Sequence, residues 1–254
     1  MTAVMETGTL APSVREHVAQ HMYATLPGSQ FALDPARRAQ LADLQAAWND
    51  LDPDPLFGGE DGKAWRVRRY SDFDFEPRTG RLLQRRAHVA YYQSERQNAY
   101  VGGVERHFGD VTEQTVQNPL FRDLIAWDFA QWPIEDVWLD RTWVCQVHQI
   151  RIHVVGGHTS DVTPEGVHSD GYPFAGVHLM NRVDVTGGES TVYTADAAPL
   201  ASLTFETPLD TLVFEDRNMK HSVSPITGVD GTTGHRDILA ISFSLPDSPY
   251  TTDV

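Results

Sequence analysis

A chain of 254 residues, 41% of them apolar, can bury one sizeable core, and a single all-β domain of this length is ordinary. Thirty-five acidic against 20 basic residues leave a net charge of −15, which disfavours a general affinity for nucleic acid or anionic membrane. No apolar run reaches the roughly 18 residues that span a bilayer, the N-terminus lacks the basic start of a signal peptide, and a lone Cys145 excludes an internal disulfide, so a cytoplasmic location is expected.

Residues 10–25 carry Val14, Val18, Met22 and Tyr23 on one helical face, with Ser13 as a candidate cap. Residues 34–48 predict a second helix, with Asp34 as N-cap before Pro35. A loop rich in Asp, Pro and Gly follows over 49–64. From Trp65 basic residues alternate with apolar and aromatic ones, which predicts a strand over 65–75, then an Arg-rich turn and a strand-like AHVAYYQS at 87–94. Helical spacing returns over 118–132, starting at Asn118-Pro119. From Thr142 onward short strand-like runs alternate with Gly, Pro and Asp, among them 142–154, 166–170, 175–183, 210–216 and 237–245. Helices in front and strands behind predict one α+β domain over 1–254. A helical part spans 1–60, and a jelly-roll barrel spans 65–245. The last residues, from Asp247, are expected to fray.

The chemistry concentrates in GVHSDGYPFAGVHLMN, residues 166–181. His168 and Asp170 are two apart, so on a strand they share a face. His221 is the best candidate for a third ligand, and two His with one carboxylate form the facial triad of non-haem Fe(II) oxygenases. His153, His158 and His178 also remain open as ligands, and each could equally be a hydrogen-bonded core residue. Arg236 lies on the predicted strand after His221, where its planar fork suits a carboxylate. Ser242 is an even number of positions further on, facing the same side.

Several blocks in order then resemble a known family, the bacterial Fe(II)/2-oxoglutarate dioxygenases of the isoleucine 4-hydroxylase type, which act on free amino acids. The blocks are VHQIR at 147–151, VHSD and VHLMN within 167–181, GGES at 187–190, PLDTLVFED at 208–216, and HSVSPITG with RDILAISFS within 221–244. Weaker echoes lie at 66–71 and 91–108. The resemblance implies a double-stranded β-helix, a jelly roll, with Fe(II) on His168, Asp170 and His221, and 2-oxoglutarate on Arg236. It also implies O2 as oxidant, ascorbate as an accessory reductant, and succinate and CO2 as co-products. A carboxylate at Asp170, where halogenases of the wider superfamily have a small residue, implies hydroxylation.

A free amino acid such as isoleucine, leucine, proline or pipecolate needs a cation for its carboxylate. Arg66, Arg68 and Tyr70 share one strand face and are candidates to bind it. Gln149 and Arg151 face opposite to His148, and one of the two sets is expected to point into the barrel. Tyr172 and Phe174 are candidates to shape the side-chain pocket. The substrate is expected to be a small molecule, with homodimer formation left open. The alternatives are the same chemistry on a carrier-bound or peptide residue, or a non-redox cupin-like metal-binding module.

Overall fold

The structure, a computed structural model, describes residues 10–57, 65–87, 90–95 and 102–252. The first predicted helix is shorter than its apolar spacing suggests. α1 (Arg15–His21) ends where Met22 takes a left-handed conformation, φ 67°, and donates its N–H to Val18. Ser13 Oγ accepts from the Arg15 N–H at 3.3 Å, as a capping hydroxyl does, while the Val14 N–H donates to Gln131 Oε1 at 2.8 Å. Tyr23 then starts strand β1 (Tyr23–Leu26), so its place on the helical face is lost. α2 (Pro35–Ala46) begins as expected, with Asp34 accepting from the Arg37 N–H at 2.8 Å. β2 (Asp52–Pro53) lies in the predicted loop, whose residues 58–64 are outside the described ones.

β3 (Arg66–Glu76) matches the alternating run, and the Arg-rich stretch after it makes the expected turn over 77–80 and then continues as a strand, β4 (Arg81–Arg85). No strand forms over 87–94; Tyr91 makes a single antiparallel bridge to Arg106, and residues 88–89 are outside the described set. A short α3 (Glu113–Gln117) precedes α4 (Pro119–Ala130), where Asn118 accepts from the N–H groups of Leu120 and Phe121. This cap satisfies two of the orphan donors of the helix, those of the buried Leu120 and Phe121.

The remaining strands are β5 (Trp143–Val154), β6 (Thr159–Ser160), β7 (Phe174–Val183), β8 (Val185–Gly187), β9 (Glu189–Thr194) and β10 (Pro199–Thr204). They are followed by β11 (Thr211–Phe214), β12 (Met219–Val223), β13 (Ile226–Gly228) and β14 (Gly234–Ser244). Their hydrogen bonds divide them among three sheets rather than one closed barrel. A main sheet runs β1-β11-β7-β14-β5-β3-β2 with β4 on β3, beside β10-β9-β12 and β6-β13-β8. The mainly-β jelly-roll layering expected from the strand series is present. Ala175, Leu179, Leu212 and Phe214 of the main sheet pack on Val192 of β9 and on Met219 of β12.

One face of the main sheet packs on the helices. Trp143, Cys145, Val147, Leu239, Ile241 and Phe243 join Leu120, Phe121, Leu124 and Ile125 in the largest core. That face also carries polar networks. His178 is fully buried between Thr211, 2.7 Å from Nδ1, and Asp128, 3.1 Å from Nε2. Arg151 grips Asp237 through two bonds of 2.6 and 2.8 Å, and Asn181 donates to the same carboxylate. The C-terminal segment does not fray within the described residues. Tyr250 packs on Trp143 and Phe174, and Arg217 donates to the carbonyls of Pro249 and Thr251.

Gly176 on β7 is what lets Asp128 reach His178. A Cβ there would stand 2.3 Å from Asp128 Oδ2 and 2.8 Å from Asp128 Cγ, both pinned by the histidine. Gly176→Ala is expected to lower stability by about 1–3 kcal/mol, the usual range for forced overpacking. Urea unfolding checks it, and an unchanged midpoint would show that the pair can move aside.

Candidate functional site

The opposite face of the main sheet, with β9 and β12, encloses a cavity whose floor is set by strand alternation. Arg236, Ile238, Ala240 and Ser242 of β14 line it, as do His148, Ile150 and Ile152 of β5 and Arg66 and Arg68 of β3. Register puts Arg236, Ile152 and Arg66 in one row across three neighbouring strands. The two arginine backbones are therefore about 10 Å apart.

His168 and Asp170 lie in a loop before β7, not on a strand as expected. They share a side because His168 forms a single antiparallel bridge with His221. The His168 N–H donates to the His221 carbonyl at 3.0 Å, and the His221 N–H returns a bond of 2.8 Å. The imidazoles then stand with ring centroids 4.2 Å apart. His168 Nε2 is 3.6 Å from Asp170 Oδ1, and His221 Nε2 is 3.8 Å from Asp170 Oδ2. One ligand atom from each residue lies within 4.8 Å of the others. These two His–Asp separations are less than twice a metal–ligand bond of about 2.1 Å, so one divalent ion can bridge them.

The tautomers suit that role. His168 Nδ1 is 3.0 Å from the Gly166 carbonyl, which can only accept, so Nδ1 carries the proton and Nε2 presents its lone pair. His221 Nδ1 is 3.3 Å from Asp216 Oδ1. Asp216 is fully buried and accepts from the N–H groups of Asp170 and Tyr172, both at 3.1 Å. One carboxylate thus fixes the loop bearing Asp170 and orients the ring of His221. Enclosure raises the Asp170 carboxyl, but the imidazoles of His168 and His221, the amide of Gln93 and the charge of Arg68 outweigh it and hold it below the ordinary range. Gln93 donates to Asp170 Oδ1 at 2.7 Å.

Arg236 is 2% exposed, and its Nε and Nη2 have no hydrogen-bond partner among the described residues. Burial, then the nearby Arg182, pushes its guanidinium down to about 10 despite Asp237. Phe205 lies under it, 5.5 Å from the ring centre. Gly188, φ 72°, leaves the room: a Cβ there would meet Ile226 at 2.9 Å and the Arg236 side chain at 3.3 Å. Buried donors facing a cavity fit a carboxylate.

A second cationic group faces the same cavity. Arg66 donates to the Val162 carbonyl at 2.6 Å and stacks on Phe57. Arg68 bonds His148 and lies 3.7 Å from Asp54. Arg106 donates to Gln93 at 2.7 Å. Burial, then Arg68, pushes Arg66 down to about 10, and holds His148 well below the usual histidine range.

Of the residues expected at the site, His168, Asp170, His221, Arg236, Ser242, Arg66, Arg68 and Tyr172 line this cavity. Tyr70 sits behind it, stacked on His148 and packed with Tyr91, Phe108 and Tyr172. Gln149 and Arg151 face the helices, because the inward set of β5 is the one containing His148. Phe174 also points to the helices and stacks on Trp132 at 4.7 Å. His178 is held in the helix-side network, and neither His153 nor His158 lines the cavity. Sequence reasoning missed Asp216, Gln93, Arg106, Glu165 and Asp54. Asp216 closes the PLDTLVFED block, and Gln93 and Arg106 lie within the weak echo at 91–108, of which 96–101 are outside the described residues.

A family model described as 2OG-Fe dioxygenase matches residues 45–242. The chain is 27% identical over 161 residues to L-isoleucine-4-hydroxylase from Bacillus thuringiensis, covering 62% of this chain and 66% of that protein, just under two thirds of its length. Among solved structures, IDO from Bacillus thuringiensis aligns with TM-score 0.74 and 23% identity over 91% of this chain and 97% of that one. A bsmA homolog from Methylobium petroleophilum PM1 aligns with TM-score 0.75 and 28% identity over 91% of each chain. No helix among the described residues is long and apolar enough to cross a membrane.

Asp216→Asn is expected to lower Fe(II) or Co(II) affinity roughly 10- to 100-fold, the usual effect of losing a carboxylate behind a ligating histidine. Anaerobic metal titration of the folded variant checks it; unchanged affinity would remove Asp216 from this role.

Proposed function

The chain belongs to the 2OG-Fe dioxygenase family, and from that premise we propose that it hydroxylates an unactivated C–H bond of a free aliphatic or cyclic L-amino acid. Its cofactors are Fe(II), 2-oxoglutarate and O2. The observation that supports the reading is one cavity holding the His168, Asp170 and His221 cluster together with two separate groups of buried guanidiniums. Two anionic reactants, a dicarboxylic 2-oxo acid and an amino acid, call for two such groups.

In this reading His168, Asp170 and His221 hold the iron from one side. Iron, 2-oxoglutarate and O2 together supply the oxidising power, with succinate and CO2 as co-products. Arg236 grips the distal carboxylate of the 2-oxo acid, while Ser242, six residues further along the same strand face and so about 20 Å away, lines the far end of the cavity and is too distant to share that subsite. Arg66 and Arg68 take the carboxylate of the amino acid. Arg68 is already oriented by His148 and Asp54, so little freedom is lost on binding. Phe57, Ile150, Ile152 and Val162 present an apolar wall to the side chain and keep water from the reacting carbon. The likeness to an isoleucine hydroxylase supports a substrate of this size.

With Fe(II), ascorbate and 2-oxoglutarate, succinate formation is expected to rise on adding one or a few of isoleucine, leucine, proline and pipecolate. Stimulation by none would overturn the substrate reading. Asp170→Ala is expected to abolish turnover in a folded protein, and retained full turnover would remove Asp170 from the ligand set. Arg236→Gln is expected to raise KM for 2-oxoglutarate at least tenfold more than KM for the amino acid; equal changes would make Arg236 merely structural.

A further inference from the structure

Glu165 lines the cavity from the Thr163–Gly166 turn, three positions before His168, and its side chain is 12% exposed. Its carboxylate has one partner among the described residues, His168 Nε2, at 3.4 Å from Oε1. That nitrogen is the one left free by the bond from Nδ1 to Gly166, so it is also the atom offered to a metal. In that tautomer Nε2 carries no proton, so it gives Glu165 no donor, and no other donor to this carboxylate is found among the described residues. A carboxylate that is mostly buried and without a donor is costly. It must become a ligand itself or meet a cation brought in from outside.

Several features favour the second outcome. The triad already supplies one carboxylate, and Gln93 holds Asp170 in place. Glu165 shares the cavity with Arg66, and the two are near enough for its charge to raise that guanidinium. An acid and a guanidinium facing one cavity suit a ligand whose ammonium and carboxylate are borne on the same carbon. A C–H bond directed at the metal leaves such a ligand's charged head close to the metal's first neighbours, where Glu165 stands.

We propose that Glu165 is the specificity residue that accepts the α-ammonium of the substrate, pairing with the arginines that take its carboxylate, so that the cavity selects amino acids with a free, unacylated amino group. This rests on the free-amino-acid reading above and deepens it. A carrier-bound aminoacyl group would keep the ammonium but not the carboxylate, and an N-acylated amino acid the reverse. Only a free amino acid satisfies both ends.

The test is equilibrium binding to the Fe(II)- and 2-oxoglutarate-loaded protein without oxygen, for wild type, Glu165→Gln and Glu165→Asp. The probes are L-isoleucine, its N-acetyl derivative and its deaminated analogue 3-methylpentanoate. Wild type is expected to bind isoleucine at least tenfold more tightly than either analogue. In Glu165→Gln that preference should fall to about twofold or less, with the equilibrium affinities for 2-oxoglutarate and Fe(II) unchanged, and Glu165→Asp should restore part of it. A preference retained by Glu165→Gln would overturn the assignment. So would a fall in Fe(II) affinity of that variant, which would make Glu165 a metal ligand. If wild type binds neither isoleucine nor any other amino acid of the panel, the free-amino-acid reading falls first and takes the assignment with it.

Discussion

Two backbone hydrogen bonds between His168 and His221 are the constraint on which the site depends. They join the loop before β7 to strand β12, segments far apart in the chain, and set the two imidazoles side by side. A mutual pair of this kind fixes the relative height and direction of both side chains. Asp216 extends the same constraint. Its carboxylate ties the backbone at Asp170 and Tyr172 to the turn that enters β12, and faces the ring of His221. The three candidate ligands are thus held by backbone and by one buried acid, with little left to their own rotamers.

The two faces of the main sheet divide the polar residues by task. On the helix side His178 with Asp128 and Thr211, and Arg151 with Asp237 and Asn181, are closed networks in which each charged group already has its partner. Such groups keep the sheet and helices in one packing arrangement, and they have little left to offer a ligand. On the cavity side the guanidinium of Arg236 keeps free donors, and Arg66 and Arg68 are each only partly satisfied. This difference separates the site from the many other histidines and arginines of the chain.

Much of this was legible before the structure. Alternation identified β3, short strand-like runs between Gly, Pro and Asp identified β5, β7 and β14, and the Asn118-Pro119 and Asp34-Pro35 pairs marked two helix starts correctly. The candidate triad, Arg236 and Ser242 could be named because ordered blocks carry more information than any single spacing. Alternation could say that Gln149 and Arg151 oppose His148, but not which set points inward, because both faces of a central strand are buried. Phe174 was misplaced for a related reason: a strand begins there, and its first residue faces Trp132. Asp216 and Glu165 had no local signature at all. An acid at a strand end or in a turn reads as solvated until folding encloses it. α1 ended early because the following residues were taken up by strand pairing with β11, a tertiary preference that helical spacing does not express.

The strand at the middle of the main sheet, β14, is contributed by residues 234–244, later in the chain than every other strand of that sheet. It pairs with β5 on one side and β7 on the other, so those two strands cannot be joined until it is inserted between them. A nascent chain emerging from the ribosome would therefore hold two unfinished half-sheets with open edges, and Arg236 would reach its place only as the gap is filled. Long-range pairing of this kind makes folding slow and leaves sticky strand edges exposed meanwhile. Assembly is thus governed by synthesis of one late segment, and the cavity comes into being with the same event that completes the sheet.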